Sequence, residues 1–406
     1  MKKTIVSNFF TTINFGVFVN VFYYLFKLNK KKYPELLSNK LLSYLGLEKK
    51  SKAICFYNAR SALFHGIQLL LKSDEVIIQA YTCVSVPNSI IHAGVKPVYV
   101  DVDQTLNMDP DFLQRKITKR TKAIMVQHTF NPANLEKIIK VCKNNNLFLI
   151  EDCAHSLAEY QQKVGTFGDI SFFSLGRDKV VSAVNGGLLV VNNSFHKYLP
   201  SITNQLRRLP IELWLQNIIY LLVSYMSFRL YDFAKLGKII ILLAKKTKII
   251  PEILSVGEKS CHDMTFFYRY PRILAFTALE FKKLDLYNHK RQKFAKIYKE
   301  NLTLPTVKSY PDIQNIFLRY VVFVQNPDKI LQILKNYNIF LDWYQQVIAP
   351  KNVNYHNAMY TKTCPNAEKF ASHSINLPCH PNLSTKQVEK VVKLIIIETM
   401  NDFFKL

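Results

Sequence analysis

Acidic residues are in short supply in this chain. Only 29 Asp and Glu stand against 54 Lys and Arg, a formal net charge of +25. Such a surface repels cationic partners and suits a polyanion or an anionic membrane. Helix-turn-helix, zinc and RNA-binding motifs are missing, so no nucleic-acid partner is expected despite the charge. The seven cysteines are odd in number and form no CxxC pair. They read as reduced thiols in a reducing compartment, without metal-ligand spacing, and no metal is expected. No repeat or low-complexity tract occurs. With 49% hydrophobic and only 20% charged residues, a disordered chain is excluded. No small-residue cleavage signal follows the first apolar run, so a cleaved leader is not expected.

The 406 residues are too many for one ordinary core, and two packed domains with attachments are expected. The charge is concentrated in two places. Residues 1–52 hold ten lysines against two acids, a net +8, and residues 195–260 hold ten basic residues against four acids, a net +6. Both segments are also the most apolar in the chain. Basic flanks beside long apolar runs are the pattern of a membrane surface more than of nucleic acid. The uncharged run at 4–26 is long enough to span a bilayer but carries Ser7, Asn8, Asn14 and Asn20. A helix lying in the membrane interface is expected, with a covered core helix as the alternative. The run "LWLQNIIYLLVSYMSF" ends at Arg229, and "KIIILLAKKTK" follows it. Each is short for a span, so the pair suits a shallow hairpin, two interfacial helices, or a cap that stabilises a dimer. The location expected is the cytoplasm, peripheral on the inner face of the cell membrane.

Between these segments the texture alternates. "NARSALFHGIQLLL" has helical spacing, with Asn58 as its cap. "EVIIQA", "KPVYVDVD", "KAIMVQHT" and "LFLIEDCA" read as strands, separated by helices around 86–93, in "PDFLQRKI" and in "NLEKIIKVCKNNN". "DISFFSL" and "GGLLVV" add two more strands. This alternation predicts an α/β fold with a mostly parallel sheet. The C-terminal third, with "RYVVFVQ", "PDKILQILKNYNI" and "TKQVEKVVKLIIIETM", reads as a smaller α/β domain. The expected divisions are a basic N-terminal segment at 1–52, a large domain at 53–194, an insert at 195–262, a long connecting helix at 263–300 and a small domain at 301–406.

Two residues sit awkwardly. Asp152 follows a buried strand, where a carboxylate is costly unless it has a partner. Lys179 follows another. Taken singly, the first reads as a cap or ion pair and the second as a solvated lysine. Taken together, they lie at strand ends that face one crevice in a parallel sheet, with Ser174 at the end of the second strand. An amine, a carboxylate and a hydroxyl converging there suit pyridoxal phosphate. The amine bonds the cofactor, the carboxylate keeps the pyridine nitrogen protonated, and hydroxyls with helix-start amides hold the phosphate.

The stretches "DEVIIQAYTCVSVPNSIIHAGVKPVYVDVD", "TKAIMVQHTFNP", "LIEDCAHS", "KVGTFGDISFFS" and "INLPCHPNLSTKQVEKVV" carry a further signal in their shared order and spacing. In these the chain resembles the DegT/DnrJ-type PLP-dependent sugar-nucleotide aminotransferases, of the aspartate aminotransferase superfamily (fold type I), over about 53–193 and 265–400. The resemblance implies a PLP fold type I large domain. It places Lys179 at the cofactor-bonding lysine, Asp152 at the pyridinium partner, His155 beside the cofactor's phenolic oxygen and Ser174 at the phosphate. Arg60 and Ser61 stand where the family has a Gly-Thr-Ala phosphate loop. Cys83 stands where an aromatic ring usually stacks on the cofactor, with Tyr81 as a candidate substitute. The family's dehydrases carry histidine in place of the lysine, so Lys179 favours transamination. The implied reaction moves an amino group from glutamate to a nucleotide-linked keto sugar, for cell-surface polysaccharide, in a homodimer. A cofactor-binding fold without catalysis, and a basic membrane or nucleic-acid binder, are the rival readings.

Overall fold

The computed structural model describes residues 4–6, 19, 33–130, 132–157, 163–231, 233, 236–250, 252, 254, 256–260, 266–271, 281–306, 315–341, 346–349 and 352–399. Seven strands build a central sheet: β1 Ser51–Phe56, β2 Glu75–Gln79, β3 Lys96–Val100, β4 Thr121–Gln127, β5 Phe148–Asp152, β6 Ile170–Ser174 and β7 Gly187–Asn192. Their spatial order is β1-β7-β6-β5-β4-β2-β3. From β3 to β6 every neighbouring pair is parallel. β7 runs antiparallel to both β6 and β1. The reason lies in the connections. Helices such as α2 (Ala59–Leu70), α3 (Ser85–His92) and α4 (Leu135–Asn144) follow β1, β2 and β4, and such crossovers return the chain in parallel. Residues 175–186 contain no helix, so β7 can only turn back. All five residues of β2 are buried, as expected of a strand covered on both faces.

Two expectations about the N-terminal segment are corrected. Helix α1 (Tyr33–Leu45) buries Leu37, Leu41, Leu42 and Leu45 and packs with Cys55, Cys153 and Val190 in one core cluster. With β1 starting at Ser51, residues 33–52 belong to the large domain. Lys49, Lys50 and Lys52 are exposed while these four leucines face inward, which is how a basic segment can also be core. In the apolar run at 4–26, Ile5–Val6 form a short strand paired in parallel with Ile339–Phe340, and Ile5 is buried. Those two residues therefore lie on a strand of the small domain and not on an interfacial helix. Most of the remaining run lies outside the described residues.

The insert holds two helices, α5 (Ile211–Leu230) and α6 (Leu236–Lys246). Gly237 lets them touch: a Cβ there would lie 2.0 Å from the carbonyl oxygen of Ser227. Of the long connecting helix expected over 263–300, only the second part is helical among the described residues, as α7 (Leu284–Asn301); residues 266–271 are extended, with Tyr268 and Arg269 bridging to Arg207 and Phe56, and 272–280 lie outside the described residues. The small domain packs α7, α8 (Pro327–Asn336) and α9 (Thr385–Thr399) against an antiparallel pair, β8 (Arg319–Phe323) and β9 (Ser374–Pro378). Tyr298, Val322, Ile330, Leu377 and Val391 lie in its core.

Candidate active site

Because β4, β5 and β6 are parallel, Gln127, Asp152 and Ser174 all finish at one edge of the sheet. The antiparallel β7 begins there too, and Gly187 pairs with both Ser174 and Phe56. A Cβ on Gly187 would lie 2.4 Å from the Asn58 carbonyl oxygen and 2.5 Å from Ala59. Only glycine allows that approach, and it brings the start of α2 down beside Ser174. Asn58 caps this helix, its side-chain oxygen accepting from the Ser61 N–H at 2.8 Å and from the Ser61 hydroxyl at 2.9 Å.

Lys179 sits in the turn after β6, its N–H donating to the Gly176 carbonyl at 3.2 Å. The space beside Gly176 brings it together with Ser174: a Cβ there would be 3.5 Å from both Lys179 Cγ and Ser174 Oγ. Lys179 Nζ lies 3.9 Å from Asp178 Oδ1. Asp152 is buried, with Gln127 Nε2 donating to Oδ2 at 3.0 Å and the Ala154 N–H donating to Oδ1 at 2.9 Å. Burial pushes its carboxyl up to about 6, against the opposing pull of the Ala154 N–H, the Lys179 cation, His128 and the Gln127 amide. His155 is also buried, and its ring lies 5.2 Å from that of Phe130. Burial, then the Lys179 and Arg319 cations, hold its imidazole well below the usual histidine range and so neutral. The charge of Lys179 thus acts on both Asp152 and His155. These groups occupy one site.

Arg60 and Ser61 meet partners already in place. Arg60 is ion-paired with Glu258 of the insert, because a guanidinium this enclosed needs a counter-charge. The fully buried Ser61 spends its hydroxyl proton on Asn58. Tyr81 is buried with its hydroxyl 3.4 Å from that of Ser374, so its polar end faces the small domain.

Several residues here escaped the sequence reading. Gln127 orients Asp152, and its polar ending to a buried strand was the available signal. Two buried arginines of the small-domain side, Arg291 and Arg319, lie under the lysine turn, Arg291 Nη2 donating to the Val180 carbonyl at 2.7 Å. Asp178 acts on Arg319, and burial, then Arg319, bring Arg291 down to about 9. The insert contributes as well. Asn217 of α5 bonds the Tyr57 hydroxyl at 3.1 Å and accepts from Asn185 Nδ2 at 2.8 Å, and Arg177 lies 3.7 Å over the ring of Tyr220. Nothing in a mostly apolar run marks Asn217 as inward-facing.

Ligand atoms of His128, Glu151 and Cys153 cluster within 4.8 Å. Hydrogen bonds explain that cluster without an ion. Glu151 accepts from the N–H groups of Gly165, Phe167 and Gly168 at 2.7–2.8 Å. His128 Nδ1 accepts from the Ala133 N–H, which leaves Nε2 to donate to Glu151 at 3.2 Å.

Comparison with known proteins follows the same outline. The model of the DegT/DnrJ/EryC1/StrS aminotransferase family matches residues 28–205 and 264–396. GDP-perosamine synthase of Escherichia coli O157:H7 is 28% identical over 348 residues, covering 82% of this chain and 80% of that one. Among solved structures, the Helicobacter pylori aminotransferase PseC, involved in pseudoaminic acid biosynthesis, superposes with a TM-score of 0.72 at 22% identity, over 97% of this chain and 99% of that one. The E. coli GDP-4-keto-6-deoxy-D-mannose-3-dehydratase with bound hydrated PLP superposes with a TM-score of 0.71 at 16% identity, over 97% and 99%. The shared fold therefore spans amino transfer and dehydration. The family match skips 206–263, which contain α5 and α6.

Proposed function

This chain belongs to the DegT/DnrJ/EryC1/StrS aminotransferase family, PLP-dependent transaminases of fold type I, and we propose that it moves an amino group from glutamate to a nucleotide-linked keto sugar for polysaccharide biosynthesis. One observation carries the reading. The Asp152 carboxylate ends β5, the Lys179 amine stands in the turn after the neighbouring parallel strand β6, and the charge of the second acts on the first. Pyridoxal phosphate fits that donor set. A buried carboxylate held up to about 6 is the natural acceptor for a ring N–H⁺, and the Lys179 amine is near enough for its charge to act on it. When bound, the cofactor supplies an electron sink for the carbon that loses its proton.

The residues divide the work. Lys179 would hold the cofactor covalently, and its amine, when free, would move the proton of the substrate carbon. Asp152, steered by Gln127, holds the ring nitrogen in its protonated form. His155, kept neutral, offers an N–H toward the phenolic side. Ser174 and the N–H groups that open α2 would hold the phosphate, with Arg60 and Ser61 at that helix start. The retained lysine favours amino transfer over the dehydration found on the same fold. The relative named for GDP-perosamine synthesis supports a sugar acceptor, and a homodimer is part of the proposal. The test is the absorption spectrum of the purified protein with and without glutamate. A covalently bound cofactor band that shifts on adding glutamate is expected. A protein that binds the cofactor but shows no shift with any amino donor would refute the assignment.

A further inference from the structure

The helical hairpin of the insert is built inside out. In α6 the buried residues are the two smallest, Gly237 and Ala244. Its large apolar residues face outward: Leu236, Ile239, Leu242 and Leu243 are 39–57% exposed. Phe228, near the end of α5, and Phe233, in the connection, are 48% and 61% exposed. α5 itself buries Asn217, Ser224 and Ser227 beside Ile218, Tyr220 and Leu221. A soluble surface helix does the reverse, and an apolar face this continuous marks a binding surface.

The charge on this face says what it binds. From residue 213 to 251 the sequence has six basic residues and one acid. Arg229, Lys238, Lys245, Lys246 and Lys248 are exposed. Long lysine stems can lie along an apolar surface and present their ammonium groups at its border. A second copy of the chain related by a two-fold axis would set these cations against each other. An anionic lipid surface meets both the apolar face and the charge. α5 is long and apolar enough to cross a bilayer. Its inward side, however, is committed to Tyr57, Asn185 and Arg177, so the hairpin lies on the membrane and does not cross it.

We propose that the α5–α6 hairpin docks the enzyme peripherally on an anionic lipid surface. The family model leaves this segment unmatched, so docking would be an addition to the catalytic fold. The hairpin also contacts the loop after Lys179, which holds the active site at the membrane face where a lipid-bound assembly would use its product. This inference stands whether or not the acceptor is a sugar.

The full chain should float with vesicles of phosphatidylglycerol and phosphatidylcholine, but not with phosphatidylcholine alone, and high salt should weaken the association. The double variant Leu242→Asp, Leu243→Asp should abolish flotation. The triple variant Lys245→Gln, Lys246→Gln, Lys248→Gln should weaken it about 100-fold, at roughly fivefold per lysine. Both variants should keep the bound-cofactor absorbance and so be folded. Three results would overturn the proposal: no flotation of the wild-type chain with anionic vesicles, flotation of the variants equal to wild type, or a drop in molar mass by light scattering in the Asp variant, which would assign the face to a second copy.

Discussion

Two regions of this molecule break the ordinary rule of apolar inside and polar outside, and they break it in opposite ways. The edge of the sheet buries ionisable groups: Asp152, His155, Arg291 and Arg319 are all largely shielded from water. The α5–α6 hairpin exposes large apolar groups and buries asparagine, serine and glycine. The first departure is compensated within the chain by hydrogen bonds and opposed charges, and what it stores is chemistry. The second has no such compensation among the described residues, and it points outward to a partner. Local violations of a fold's consistency are where function is to be sought. The direction of each violation indicates whether the missing piece is a small ligand or a surface.

The largest test of this contrast is at the sheet edge. Lys179→Ala should lower turnover by about 10³-fold or more and remove the covalently bound cofactor band, while the fold survives, since its side chain is only a small part of the packing. Asp152→Asn should lower turnover by about 10²-fold and weaken cofactor retention. The same substitution has a second, opposite effect. Because the folded-state carboxyl is raised to about 6 from 3.8, its ionised form costs stability above that pH, and the cost disappears below the unfolded value. The cofactor-free Asn variant should therefore be more stable than wild type by about 1–3 kcal/mol at pH 8 and no more stable at pH 4, measured by thermal denaturation. Gln127 can turn its amide to match the new side chain, since its Oε1 has no hydrogen-bond partner among the described residues.

Gly237→Ala probes the hairpin. A Cβ 2.0 Å from the Ser227 carbonyl oxygen must push α6 away, at a cost of about 1–3 kcal/mol. Proteolysis within the insert should accelerate while the cofactor band stays. The smallest effect expected is at the seam between the two regions. Asn217→Ala removes one of the two acceptors of the Asn185 amide, which keeps the Tyr57 hydroxyl at 3.1 Å, and costs about 1–3 kcal/mol in local stability. Faster cofactor loss, read by absorbance, would show that the hairpin steadies the lysine loop, and an unchanged rate would separate the two regions.

Much of the sheet was legible because each strand and helix carries its own periodicity. The continuous buried runs of β2, β4 and β5, the Asn58 cap and the lysine and acid placed at strand ends are local patterns. Less could be read where one pattern serves two structures. The leucines of α1 beside many lysines look like a membrane segment, yet they pack against Cys55 and Val190. The apolar run of α5 hides Asn217 because a helix with little polar contrast has no readable inner face.

The residue pattern alone determined the α/β alternation and which amine and acid end up at strand ends, since these follow from short-range periodicity and chain order. Tertiary structure alone decided that Ile5–Val6 join the small domain, that Glu258 reaches Arg60, and that the hairpin turns its small residues inward. Those outcomes depend on contacts between residues far apart in sequence, and no local pattern encodes which distant surface will be there to meet them.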